Sequence, residues 1–101
     1  MIYQMMLPTH YNNGEKIPDT LLRELLLEVA RVHGGYTLDA PSEGFYIDPE
    51  TGKHYAESVR RLTVISNDDF KLDARFLGEE LKQKVVLLIE DGHTEFINCG
   101  L

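Results

Sequence analysis

The order of apolar segments along the chain constrains its fold more than any other feature. Ile2 to Leu7 is a short extended run. A leucine-rich amphipathic stretch follows, from Pro18 or Asp19 to His33, and stops at Gly34-Gly35. Two extended segments then occupy residues 36–66, a shorter helical stretch comes next, and Val85 to Ile89 is a continuous apolar run. The order β-α-β-β-α-β is that of a split βαβ unit.

Local chemistry supports each boundary. Pro8 disfavours continued central pairing of the first strand, and Asn13-Gly14 signals a turn. Pro18 suits the first helical turn, and Asp19 sits at the positive end of the helix dipole. Leu22, Leu25, Leu26, Val29 and Ala30 recur at helical spacing, so they form the buried stripe of the first helix, with Leu21 and Leu27 off it. Gly34 or Gly35 ends that helix in the left-handed conformation. Pro41 and Gly44 predict a bulge or break in the next extended segment, and Asp48-Pro49-Glu50-Thr51-Gly52 predicts a turn. Beyond it, Leu62 and Val64 share a face expected to meet the helices. Ser66 to Asp69 supplies capping side chains for a second helix, with Leu72, Phe76, Leu77, Leu81 and Phe70 as its apolar stripe. Gly78 weakens that helix or permits a close approach. Asp91-Gly92 predicts a tight turn into a last strand, Thr94 to Ile97. The expected fold is therefore α+β. It is a ferredoxin-like βαββαβ sandwich with a four- or five-stranded, mainly antiparallel sheet, two helices on one face, and an extra C-terminal hairpin strand as its fifth.

With 101 residues the chain is expected to form a single domain, 1–101. A hydrophobic content of 43 % is that of a globular protein, not a disordered one. The formal net charge of −7 repels nucleic acid, and Arg60 and Arg61 point to opposite faces of a strand, so no nucleic-acid partner is expected. Cys99 is the single cysteine, no apolar run approaches the ~20 residues of a membrane span, and Met1 to Gln4 lacks a basic leader. A cytoplasmic protein with no membrane partner is the expectation.

No motif fixes a reaction. His10, His33, His54 and His93 show no metal spacing, and His93 and Cys99 lie about 20 Å apart if on one regular strand. No metal and no cofactor are expected. Gly34-Gly35 follows a helix, whereas a phosphate cradle precedes one. The best polar cluster lies on the 39–57 hairpin: Asp39, Glu43, Tyr46, Asp48, His54, Tyr55 and Glu57. Within it, His54 or Glu57 is a candidate base and Tyr46 or Tyr55 a candidate donor. The same residues also describe a solvated hairpin with cross-strand pairs.

Three stretches, Leu7 to Gly14, Val32 to Thr37 and Glu43 to Tyr55, follow one another as in a group of small α+β proteins of uncharacterised function, which the chain resembles. The resemblance implies a ferredoxin-like sandwich and no particular activity. Three functions stay open. The first is a homodimeric binding or accessory module, paired through an outward sheet face expected to carry Tyr3, Met5, Arg61, Thr63 and Ile65. The second is a small-molecule enzyme using the hairpin groups. The third is an acidic protein that captures a basic protein partner, with its carboxylates gathered on one face.

Overall fold

The structure, a computed structural model, describes residues 1–100. Its elements are β1 (Ile2–Pro8), α1 (Asp19–His33), β2 (Thr37–Leu38), β3 (Ser42–Ile47), β4 (His54–Ile65), α2 (Lys71–Glu80), β5 (Val85–Glu90) and β6 (His93–Asn98). The sheet runs β2-β4-β1-β5-β6, with β3 also paired to β4, and every pairing is antiparallel. This is the expected α+β, ferredoxin-like arrangement, with β6 as the added hairpin strand.

The turn chemistry explains most connections. Gly34 takes φ 92° and donates its N–H to the Ala30 carbonyl at 2.8 Å, ending α1. Asp91 (φ 46°) and Gly92 (φ 88°) make the two-residue β5–β6 turn, whose positive φ angles match the strand twist. The Asp48 carboxylate accepts the Glu50 N–H at 2.8 Å, and Gly52 closes the β3–β4 turn. The expected bulge separates β2 from β3. Leu38 pairs with Leu62 and Ser42 with Val59, so three residues (Asp39, Ala40, Pro41) face two (Arg60, Arg61). Asp39 locks it: its N–H donates to the Arg61 carbonyl at 2.9 Å, its carbonyl accepts from Arg60 Nε, and its carboxylate pairs with Arg61.

The buried cluster lies between the helices and one sheet face, and includes Leu22, Leu25, Leu26 and Val29 of α1 and Leu62 and Val64 of β4. Two expectations are corrected here. Tyr3 and Met5 do not face outward: each is 1 % exposed. They pair with Val64 and Leu62, so strand parity turns them, with Leu7, toward the helices. The Tyr3 ring lies 5.6 Å from Phe70. Burial, with Glu90, Asp69 and Asp91 nearby, raises its phenol pKa. In the second helix Leu72 is 80 % exposed and Phe76 is also exposed, while Phe70, Ala74, Leu77, Gly78 and Leu81 are buried. The stripe runs through the two smallest residues because Cys99 and Val86 pack directly on Gly78.

His33 ties α1 to α2. Its side chain is fully buried, with Nε2 2.9 Å from Asp73 Oδ2 and Nδ1 2.8 Å from Ser66 Oγ. A carboxylate only accepts, so Nε2 carries a proton and donates it to Asp73. The ring packs 5.2 Å from Phe70.

Candidate functional site

Strand parity sorts the hairpin residues. Tyr46 stands opposite Tyr55 and Gly44 opposite Glu57, so Tyr46, Tyr55 and Glu57 leave the same face of the hairpin. That face continues the side of the sheet turned away from the helices, because Val59, two residues on, pairs with Pro8. Gly44 leaves room here: a Cβ on it would lie 2.8 Å from the Tyr46 hydroxyl oxygen, so its absence lets the Tyr46 ring lie across the strand.

These three side chains line one cavity of about 350 Å³, together with Met6, Pro8, Val59, Gln83, Val85, Val86, Leu87 and Phe96. Val59 is its buried floor. A second cavity, of about 470 Å³, shares Pro8, Tyr55, Glu57 and Gln83 with the first and extends past His10, Tyr11 and Asn12. The joined cleft follows the part of β4 that lies beyond the end of β1. The register between them stops at Pro8 and Val59, leaving that edge without a strand partner except where Thr9 N–H donates to the Ser58 carbonyl at 3.1 Å.

The chemistry of the cleft is that of one carboxylate among aromatic faces. Glu57 has no hydrogen-bond or ion-pair partner among the described residues, so both its oxygens are free to accept from a ligand. Tyr46 and Tyr55 bring hydroxyls that donate and accept, and with Phe96 they offer ring faces for stacking or for a cation.

The structure thus brings together Glu57, Tyr46 and Tyr55 and separates His54 from them. His54 pairs with Ile47 on the opposite face, and its ring meets the edge of Phe45 at 5.4 Å. Of the wider cluster, Asp39 serves the bulge and Asp48 the turn. Phe96 and Gln83 were not among the candidates. The two-residue Asp91-Gly92 turn held the signal for Phe96, because it sets Leu87 opposite Phe96 and so on the open face. Gln83 follows α2 at Lys82, whose φ is 58°, and its placement comes from tertiary packing. Cys99 is buried, which raises its thiol pKa. Among the described residues no group of three His, Cys, Asp or Glu could hold a metal, and no helix is long and apolar enough to cross a membrane.

A scan of protein-family models and a search of curated proteins find no match to the chain. Solved structures do match. A phage SAM lyase in complex with S-methyl-5'-thioadenosine superposes with a TM-score of 0.61 at 16 % identity, covering 96 % of this chain and 88 % of that one. A phage SAM lyase in its apo state gives 0.60 at 17 %, covering 99 % and 90 %. At this identity the likeness is one of fold, and it holds over nearly the whole chain.

Proposed function

We propose that the chain is a small-molecule-binding protein, and an enzyme, whose site is the cleft of Glu57, Tyr46 and Tyr55. The observation that carries this is the convergence of an unpaired carboxylate and three aromatic rings, Phe96 being the third, on one concave site. The fold likeness to a SAM lyase supports a sulfonium or thioether nucleoside as the ligand class to test first. The residues suit that class: ring faces stack on a purine, and a carboxylate beside aromatic faces attracts a sulfonium cation. Glu57 is the proposed base and a tyrosine hydroxyl the donor, as among the candidates read from the sequence. The lone Cys99 supports a cytoplasmic setting for a single domain.

Titration calorimetry with SAM and with S-methyl-5'-thioadenosine tests the proposal. Both should bind saturably. Glu57→Gln should weaken the cationic ligand about tenfold or more and the neutral one far less, since only the former loses a charge partner. Absence of binding by both at millimolar concentration, or equal losses for both, would overturn it.

A second reading has its own observation. On the open face Ile65 is 70 % and Phe96 73 % exposed, and Ile2 and Val85 are exposed with them. Such a surface supports the homodimeric module expected from the sequence.

A further inference from the structure

We infer that the cavity between residues 9–19 and β4 is an oxyanion-binding site, built for the carboxylate or phosphate of a ligand. Its volume is about 310 Å³, and its polar lining is Thr9, His10, Lys16, Asp19, Ser58 and Arg60. In a chain of net charge −7, two of the ten basic side chains and a histidine meet in one concavity, against a single lining carboxylate, Asp19. Neither Lys16 nor Arg60 forms an ion pair among the described residues, which they share with Arg23, Lys53, Lys82 and Lys84, but these two line one cavity.

The site is fixed by backbone. The loop after β1 turns back on itself, so that His10 and Lys16 are antiparallel bridge partners. Their side chains therefore project together. The Ile17 N–H donates to the Thr9 carbonyl at 3.0 Å, and the buried Ile17 side chain pins the loop to the core. Arg60 Nε donates to the Asp39 carbonyl at 2.9 Å, which orients the guanidinium and leaves its terminal nitrogens without protein partners among the described residues. The Thr9 hydroxyl donates to the Ser58 carbonyl at 3.2 Å and lies 2.7 Å from His10 Nδ1. With that hydroxyl proton engaged, Nδ1–H donates to Thr9, and Nε2 of the neutral ring is an acceptor, so Lys16 and Arg60 are the groups that would hold an oxyanion. A preorganised guanidinium beside an ammonium is the arrangement that binds an oxyanion through charge-assisted hydrogen bonds.

The cavity adjoins the cleft, sharing Pro8, His10 and Ser58 with its second part, but its cations are not among the aromatic cleft's residues, so the two can be tested separately. The whole chain is titrated with inorganic phosphate and, separately, with acetate, and amide shifts are followed by NMR. Saturable shifts confined to residues 9–19 and 58–60 are expected. Tighter phosphate binding assigns the site to a phosphoryl group, tighter acetate binding to a carboxylate. Lys16→Gln should weaken binding about tenfold, the loss of one charge-assisted contact. Asp19→Asn should strengthen it severalfold, because it removes the only carboxylate in the lining. Glu57→Gln should leave it unchanged. Shifts that fail to saturate, or a Lys16→Gln variant with unaltered affinity, would overturn the inference.

Discussion

Gly78 and Cys99 meet where α2 crosses the sheet, and their contact decides which residue α2 tolerates. A Cβ on Gly78 would overlap Cys99 Sγ and stand 2.9 Å from Val86 Cγ1. Glycine inside a helix costs about 1 kcal/mol relative to alanine, so Gly78→Ala would stabilise an isolated α2. Here it should instead destabilise the protein by about 1–3 kcal/mol through overpacking, measured by urea unfolding. In a Cys99→Ala background most of that loss should vanish, because the shorter of the two clashes is gone. A double-mutant cycle should give a coupling above ~0.5 kcal/mol, and additive effects would show that packing does not select glycine here. The sequence left Gly78 open between a weak helix and a close approach. The partner that decides it, Cys99, lies on the far side of the β5–β6 hairpin in sequence and is invisible to local reading. His33 shows the same limit. Its place in the last helical turn was legible, but its burial between Ser66 and Asp73 depends on where α2 docks.

Elements were more legible than the faces they present. Both helices, the β3–β4 turn, the β2–β3 bulge and the terminal hairpin follow from residues close in sequence, since caps, glycines and prolines act locally. Facing is set by partners. In β1 the alternation of Tyr3, Met5 and Leu7 was plain, but which side met the helices depended on the register with Leu62 and Val64. In α2 large apolar side chains suggested Leu72 and Phe76, whereas the buried line passes through Ala74 and Gly78. This correction has a direct check. Leu72→Gln should change stability by less than about 0.5 kcal/mol, as for an ordinary surface position. Leu77→Ala should cost about 2–5 kcal/mol, as for a packed core leucine. Comparable losses at both sites in urea unfolding would mean that α2 is rotated from the orientation described.

Over the whole molecule, the residues of the proposed site lie on the sheet face turned away from the helices. Half of that was legible. The hairpin turn brings Tyr46 opposite Tyr55 and parity adds Glu57, but the facing wall comes from β5 and β6 and needs the assembled sheet. Phe96 belongs both to the cleft and to the exposed apolar face, whereas Ile65 lies outside the cleft lining. This difference separates ligand binding from self-association. Sedimentation at high micromolar concentration should show a dimer. Ile65→Lys should weaken dimerisation about tenfold or more by placing a charge on a buried apolar contact, while leaving the affinity for S-methyl-5'-thioadenosine intact. Phe96→Ala should weaken both, because one ring serves both contacts. A wild-type chain that remains monomeric at that concentration would remove the dimer and leave Phe96 to the cleft alone. Its exposure in the isolated chain would then be that of a ring positioned to cover a bound ligand, and Phe96→Ala should still lower ligand affinity.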